Sequence, residues 1–313
     1  MRRGLGLLLV ALGASAQDRT LTSDADVRAV AFSKDGATVY AICADNKLRQ
    51  WDARTGSAKA TTSFESGERP VGWNGGMLAV AGKDGVAIAD AATGSRVRRI
   101  ATGGRTFAQM AVAPDGQAVA GSSRVEGISR DEVMRVWDAS GKERFATAAG
   151  IGGASAMAIS PDGSLLAAGS WDTNVRVWST KNGELVKLID ELPVAVFGIA
   201  FSPDGASLAM AGVDRTVYVW NAKSWKLERK LTGQPEMISS LAFSADGRSL
   251  ATGGFNDITM KHPVSVLVWD FASGKVRKTY AAPHRVTTVA LSPDGKMVAA
   301  AGGDKAVRVW DVN

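Results

Sequence analysis

Two stretches with one pattern decide the fold, and the first runs from Ser160-Pro161-Asp162-Gly163 to Val175-Arg176-Val177-Trp178. The second runs from Ser202-Pro203-Asp204-Gly205 to Val217-Tyr218-Val219-Trp220. In both stretches the glycine lies 15 residues before the tryptophan, as the numbers of Gly163 and Trp178 show. Proline fixes φ and glycine accepts positive φ, so each tetrapeptide predicts a tight turn. The residues before each tryptophan predict a strand.

The pattern returns seven times along the chain, at intervals of roughly 42 residues. Six copies end in tryptophan, and their glycine–tryptophan pairs are Gly36–Trp51, Gly116–Trp137, Gly163–Trp178, Gly205–Trp220, Gly247–Trp269 and Gly295–Trp310. The remaining copy is worn, because Gly76 leads to a strand with Ala89 in the tryptophan position. A unit of short strands exposes two apolar faces, so such units must stack and close into a ring.

Composition narrows the classes of function. The 313 residues include 45% hydrophobic residues and 35 glycines, which suits one turn-rich β assembly. The net charge of +6 is scattered without a run of five like charges, so we predict no nucleic-acid partner. Cys43 is the only cysteine, so the fold contains no internal disulfide and must be held by packing.

The tryptophan is followed by aspartate at Trp51-Asp52, Trp137-Asp138, Trp269-Asp270 and Trp310-Asp311. With the repeat length, this signature resembles the WD40 repeat family over residues 20–311. The resemblance implies an all-β, seven-bladed propeller of four-stranded antiparallel blades, and we read it as an exported protein of bacterial type. The last copy ends at its third strand, so we predict that a strand at about residues 19–22 completes that blade and closes the ring.

The resemblance also implies a turn aspartate six residues before the tryptophan. This position holds Asp45, Asp131, Asp172, Asp214 and Asp304, whereas Pro263 occupies it in blade 6. Only His284 stands where the histidine of the family belongs, and we expect it to be a structural partner of Asp304.

The first residues read as a separate segment. A basic start at Arg2 and Arg3 precedes an apolar run from Leu5 to Leu12, which is too short to cross a bilayer. Ala14-Ser15-Ala16 offers the small residues of a signal-peptidase site. We therefore predict a signal peptide at residues 1–16, a propeller at residues 17–313, export to the periplasm or medium, and no stable membrane anchor.

A propeller presents two rims, and only one of them varies here. The first rim carries the turns between the second and third strands and the connections between blades. Both insertions, at residues 122–130 and 255–262, fall on this rim, where binding loops on a rigid scaffold usually lie. Six candidate contact residues on this rim form the predicted binding site, and they are Trp171, Arg105, Phe197, Met237, Arg285 and His262.

Reactive chemistry is scarce. The two histidines, His262 and His284, lack a third ligand at helpful spacing, so we predict no metal site. We likewise predict no cofactor and no catalytic residue, since no phosphate loop or Gly-x-Ser-x-Gly elbow occurs. The hypothesis is a monomeric, non-catalytic platform for an unidentified extracytoplasmic protein or peptide. The alternatives are a propeller enzyme, such as a lactonase, hydrolase or dehydrogenase, with a site at the channel mouth, and a TolB-like envelope assembly factor.

Overall fold

The computed structural model describes residues 18–64, 69–74, 76–82, 85–102, 105–124, 133–190, 192–256 and 263–312. In these ranges the chain forms 28 strands, arranged as seven four-stranded antiparallel sheets, and no helix. The predicted all-β, seven-bladed propeller is therefore confirmed. Within the same ranges, no helix is long and apolar enough to cross a membrane.

The first three blades each use four consecutive strands. Blade 1 contains β2 (Val27–Phe32), β3 (Thr38–Cys43), β4 (Lys47–Asp52) and β5 (Ala58–Ser63). Blade 2 contains β6 (Arg69–Asn74), β7 (Met77–Gly82), β8 (Gly85–Asp90) and β9 (Arg96–Ile100). Blade 3 contains β10 (Thr106–Val112), β11 (Ala118–Arg124), β12 (Val133–Asp138) and β13 (Glu143–Ala148).

The next three blades repeat this order. Blade 4 contains β14 (Ala154–Ile159), β15 (Leu165–Ser170), β16 (Val175–Ser179) and β17 (Leu185–Ile189). Blade 5 contains β18 (Val196–Phe201), β19 (Ser207–Gly212), β20 (Thr216–Asn221) and β21 (Leu227–Thr232). Blade 6 contains β22 (Met237–Phe243), β23 (Ser249–Phe255), β24 (Val264–Asp270) and β25 (Lys275–Ala282).

Blade 7 joins the two ends of the chain. It contains β26 (Val286–Leu291), β27 (Met297–Gly302), β28 (Ala306–Asp311) and, as its outer strand, β1 (Arg19–Thr22). Strand β1 runs antiparallel to β28, with Arg19 opposite Val309 and Thr22 opposite Ala306. Leu21 is buried in the cluster shared by blades 7 and 1. The predicted closing strand is therefore confirmed.

The hydrophobic core lies in the seams between blades. Seven clusters each combine residues of two neighbouring blades, and together they pass once around the ring. Trp137 and Trp269 are among the largest fully buried side chains. In the worn blade the small Ala89 is equally buried and packs in the seam between blades 1 and 2. Burying both faces of every blade is what makes the ring stable.

Blade 6 replaces the turn aspartate with another buried network. Trp269 Nε1 donates to Thr252 Oγ1 at 2.9 Å, and Thr252 Oγ1 donates to Gln234 Oε1 at 2.7 Å. Gln234 follows Gly233 in the connection from blade 5, where the family's histidine would stand. In blade 6, whose turn carries Pro263, the glutamine therefore accepts the hydrogen bond of the buried Thr252 hydroxyl, which in turn accepts from Trp269.

The expected pairing of His284 with Asp304 is wrong. His284 is exposed, and Asp304 Oδ2 lies 2.6 Å from Arg308 Nη1. Arginine on the third strand reaches the turn carboxylate from within the same blade, so the turn needs no histidine from the preceding connection.

Candidate functional site

The second rim is formed by repeated turns between the first and second strands of each blade. Ser160 Oγ donates to Asp162 Oδ1 at 2.6 Å and accepts from the amide of Leu165 at 2.9 Å. The same serine–aspartate bond occurs at Ser33–Asp35, Ser202–Asp204, Ser244–Asp246 and Ser292–Asp294. The hydroxyl of Ser160 lowers the pKa of Asp162, so this carboxylate is committed to the turn.

The first rim uses its aspartates differently. Asp172 accepts from Ser170 Oγ, from the amide of Asn174 at 3.1 Å and from Arg176 Nη2 at 2.8 Å. Burial raises the pKa of Asp172, but the bonds from Arg176 and Ser170 outweigh it and lower the pKa to about 2. This carboxylate is therefore ionised and bound to its own blade, which leaves it unsuited to acid–base work.

Blade 5 makes the equivalent contact with a phenol. Tyr218 donates its hydroxyl to Asp214 Oδ2 at 2.6 Å. Burial, together with the bond to Asp214, raises the pKa of Tyr218 to about 12. The phenol therefore stays protonated and acts as a structural donor rather than a base.

Three aromatic side chains form a row on the first rim, which we call the aromatic row: Trp171, Phe197 and Phe255. The ring centroids of Trp171 and Phe197 lie 5.0 Å apart, and those of Phe197 and Phe255 lie 5.9 Å apart, both edge to face. The row crosses blades 4, 5 and 6. Trp171 is 50% exposed, so the row presents a large apolar ring to solvent.

A β-bulge places Phe197 in this row. The inner strand of blade 5 shifts register between Val196 and Gly198, so Phe197 is the extra residue. At the same bulge, blades 4 and 7 carry Ser155 and Thr287. Each of these hydroxyls donates to a carbonyl of the next blade, Ser155 Oγ to Val196 at 2.6 Å and Thr287 Oγ1 to Val27 at 3.4 Å. Phe197 has no hydroxyl to make this hydrogen bond, and its ring instead contacts Trp171 and Phe255.

The turn that carries Trp171 is also strained. Thr173, two residues later, has a φ of 64°. The same turn position holds Asn46, Arg215 and Lys305, with φ of 58°, 65° and 58°. Asparagine tolerates this conformation, whereas a β-branched threonine rarely adopts it and is destabilised there. Backbone strain next to an exposed tryptophan indicates that this turn has a function besides joining two strands.

The other predicted contact residues are distributed around the rim. Met237 lies opposite Phe255 in the pairing of β22 with β23, so its backbone is next to the aromatic row. Arg105 is exposed in the connection between blades 2 and 3, where its Nη1 donates to the carbonyl of Thr102 at 3.1 Å. Arg285 is exposed in the connection between blades 6 and 7. The structure thus brings together the rings of Trp171 and Phe197 and the backbone of Met237, whereas Arg105 and Arg285 lie in the connections before blade 3 and before blade 7.

Part of the predicted site lies outside the described residues. His262 is in this group, as are residues 125–130 and 257–262 of the two insertions. Phe255, the first residue of the second insertion, is described and belongs to the aromatic row. In the sequence Phe255 is only the boundary of the insertion; the signal that could have identified it is an aromatic residue directly after the small residues Ala251 to Gly254.

A central channel connects the two rims. Its cavity of about 840 Å³ is lined by inner strands, with Phe197, Ser155 and Thr287 toward the first rim and Pro161 and Lys34 toward the second. In the part of the chain that the structure describes, no group of three His, Cys, Asp or Glu side chains could hold a metal ion. The channel lining consists mainly of hydroxyl and apolar groups, with the Gln109 amide and the Lys34 ammonium group among them.

A family model described as WD domain, G-beta repeat matches this chain. It matches residues 16–52, 149–179, 187–221, 225–260 and 274–311, which is more than half of the chain. The chain belongs to the WD40 family. The resemblance drawn from the Trp-Asp signatures is thus confirmed, and the family supports a non-catalytic scaffold with protein partners, as predicted.

Related proteins match over a shorter segment. The chain is 42% identical over 70 residues to eukaryotic translation initiation factor 3 subunit I of Aspergillus terreus, covering 22% of this chain and 20% of that protein. It is 42% identical over 74 residues to the Aspergillus fumigatus protein of that name, covering 23% and 22%. The Emericella nidulans protein is 39% identical over 70 residues, covering 22% and 20%. The chain therefore matches about a fifth of the length of these relatives.

These relatives correct the prediction of export. They are named as subunits of a eukaryotic translation initiation factor, so placement in the periplasm or medium, with an extracytoplasmic partner, is wrong. The bacterial type has no support among them either. Residues 1–16, the predicted signal peptide, lie outside the described residues, and the domain boundary after residue 16 stays a prediction.

Proposed function

We propose that the chain is a protein-interaction scaffold whose partner binds over the aromatic row on the first rim. The exposed ring of Trp171, held edge to face by Phe197, is the observation that carries this proposal. Tryptophan is enriched among the few interface residues that supply most of the binding free energy. The rigid ring of blades fixes the position of the row, so little order must be gained on binding.

The surroundings of the row suit a protein surface. Ile151, in the connection before blade 4, is 68% exposed, and Val213, in the first-rim turn of blade 5, is 38% exposed. Both lie on the rim that carries Trp171. Apolar residues gathered on one rim and bordered by polar turns are typical of an interface core with a wet border.

The relatives favour a partner within a multiprotein assembly. Their shared name is that of a subunit of translation initiation factor 3. We extend this to the chain as a proposal: it binds, as a monomer, to protein subunits of a translation initiation complex. The TolB-like alternative gains nothing from the observed ring, because the family match and the seven blades point elsewhere.

The test compares two rims of the tagged full chain. The double variant Trp171→Ala/Phe197→Ala removes two of the three rings of the aromatic row. The control is Lys34→Ala, at an exposed residue at the second-rim end of the channel. Partners are crosslinked in cells, captured and quantified by mass spectrometry. We expect initiation-factor subunits to be recovered with the wild type and the control and to fall at least tenfold with the double variant. Equal recovery with all three proteins would refute the rim assignment.

A further inference from the structure

Every blade has an outer strand with one unpaired edge, and the edge of blade 4 differs from the rest. Strand β17 is the last strand of its sheet. It exposes Leu185 by 49%, Val186 by 43% and Leu188 by 37%. Two other outer strands carry three charges each, in Arg-Val-Arg-Arg-Ile of β9 and Leu-Glu-Arg-Lys-Leu-Thr of β21, whereas β17 carries one charge and three exposed aliphatic side chains. An edge that lacks such protection is a template for another strand.

The one charge in β17 has no acceptor. Lys187 is half-buried, and no hydrogen bond or ion pair joins it to another residue in the described ranges. In blades 2 and 5 the equivalent residues tie the outer strand to the next blade: Arg98 Nη1 donates to the carbonyl of Gly116 at 2.5 Å, and Arg229 Nη1 to that of Ala272 at 2.8 Å. Lys187 is therefore the single cation on a strand whose exposed residues are aliphatic, and its three donors are available to a partner.

A strained tryptophan stands at the neighbouring turn. Trp225 has a φ of 54° and donates its amide to Asn221 at 2.9 Å, as Gly183 does to Ser179 at 2.9 Å. Trp225 thus takes a position that glycine fills in blade 4, and a bulky residue rarely adopts this conformation.

The position faces the outer strand of the preceding blade. A Cβ on Gly183 would lie 2.6 Å from the ring of Phe145 in β13. By the same geometry Trp225 faces β17, where Lys187 holds the position of Phe145, and it packs against the hydrophobic cluster shared by blades 4 and 5. Trp225 is only partly buried, so it adds an aromatic face to the apolar edge.

We propose that the free edge of β17 binds an extended segment of a partner protein as a fifth strand of blade 4. The segment carries an acidic residue that pairs with Lys187 and apolar residues that cover Leu185, Leu188 and Trp225. A row of free backbone amides and carbonyls is complemented by an extended chain. A second copy of this edge is a poor fit, because antiparallel pairing centred on Lys187 places lysine opposite lysine.

This edge lies on the outside of the ring, away from the aromatic row. The proposal of strand binding is therefore tested independently of the proposed function. The test uses the full chain and three fluorescein-labelled nonapeptides in fluorescence anisotropy. TVTVEVTVT supplies an extended acidic strand, TVTVKVTVT reverses the charge, and TVTPEPTVT removes two backbone donors. We expect the acidic peptide to bind, the lysine peptide to bind at least tenfold more weakly, and the proline peptide not to bind.

Matched variants locate the site. Val186 is the extra residue of the bulge in β17, and Val97, 56% exposed, holds the equivalent position in β9. Val186→Lys should weaken binding of TVTVEVTVT at least tenfold, while Val97→Lys should leave it unchanged. Trp225→Gly should preserve the fold, because glycine fills the equivalent turn in blade 4, and should weaken binding severalfold.

Hydrogen exchange supplies a readout of strand pairing itself. With the acidic peptide bound, amides of residues 185–189 should exchange more slowly, and those of residues 96–100 should not change. The proposal is overturned if TVTVEVTVT does not bind at 1 mM, binds no better than its lysine or proline counterpart, or binds Val186→Lys as tightly as wild type.

Discussion

The two rims of this propeller are built from the same kinds of strands, yet their turns obey different rules. On the second rim, the turns of blades 1 and 4 through 7 repeat one serine–aspartate hydrogen bond, and glycine supplies the positive φ. On the first rim, four turns place a residue other than glycine at positive φ, including Thr173. Repetition indicates a shared structural duty, whereas variation beside an exposed tryptophan indicates a local one.

The difference has a physical consequence for substitutions. Four second-rim serines are buried, and each binds both a carboxylate and a backbone amide, so their loss should lower the stability of the fold: Ser160, Ser202, Ser244 and Ser292. Trp171 is half-exposed, and its loss should be felt by a partner before it is felt by the fold. Four experiments test this contrast.

The largest loss of stability should come from breaking the hydrogen bonds that join Gln234, in a first-rim connection, to Trp269 in the seam between blades 5 and 6. Thr252→Val removes the oxygen that joins Trp269 and Gln234, leaving two buried polar groups unsatisfied. We expect a loss of about 3 kcal/mol in the free energy of unfolding, measured in urea. Thr252→Ser keeps the hydroxyl and should lose less than about 1.5 kcal/mol. A loss for Thr252→Ser as large as that for Thr252→Val would show that the hydrogen bonds contribute no more to stability than the methyl group does.

The next effect concerns Asp172 and depends on pH. Its folded pKa of about 2 lies below the ordinary value of 3.8, so its ionised form is bound more favourably in the folded state. The resulting stability, about 2 kcal/mol, is fully present above pH 4 and is lost as the pH falls through 2. Asp172→Asn should therefore be less stable than wild type at pH 7, and the gap should close between pH 4 and pH 2. A gap that is constant down to pH 2 would contradict the ion pair with Arg176.

The direct contrast between the rims uses Ser202→Ala and Trp171→Ala. Ser202 Oγ donates to Asp204 at 2.5 Å and accepts from the amide of Ser207 at 2.9 Å, and the residue is buried. Its removal should cost about 1.5 kcal/mol in thermal or urea unfolding. Trp171→Ala should cost less than about 1 kcal/mol, since the ring is half-exposed. The reverse order would break the division between the rims.

The smallest effect should be a gain. Thr173→Gly relieves the strained backbone at φ 64° and should stabilise the folded chain by about 1 kcal/mol, offset in part by the greater freedom of glycine when unfolded. Asn46→Gly at the same position in blade 1 should change stability by only a few tenths of a kcal/mol, since asparagine tolerates this conformation. Differential scanning calorimetry of both variants compares the two turns, and a destabilised Thr173→Gly would show that the turn is unstrained.

Local patterns predicted most of the architecture. The spacing of Gly163 to Trp178 fixes two strands and the turn between them, and its repetition fixes the number of blades. The closing strand was predicted because the last repeat ends at its third strand, and residues Arg19–Thr22 supply the missing fourth strand. These features depend on turn chemistry and on alternation of apolar residues, which are written locally in the chain.

The site was only partly predictable, because it depends on contacts between blades. The sequence indicates Trp171 and Phe197 as two separate candidates, and their contact follows from the bulge at Phe197, which sequence alone does not reveal. Gln234 was missed because glutamine has no expected role where the family places histidine. The predicted pairing of His284 with Asp304 was wrong because Asp304 forms its ion pair with Arg308. Export was wrong because it was drawn from the first 16 residues alone, which say nothing of the proteins that share the repeats.

The most direct measurement of the division between the rims is a substitution scan of the whole chain with two readouts, resistance to proteolysis for folding and recovery of a crosslinked partner for binding. We predict that the substitutions which abolish partner binding but leave the protein folded lie close to Trp171, Phe197 and Phe255. Substitutions of second-rim serines and aspartates should reduce folding and partner binding together. Partner-specific positions concentrated on the second rim, or spread evenly around the ring, would contradict the account.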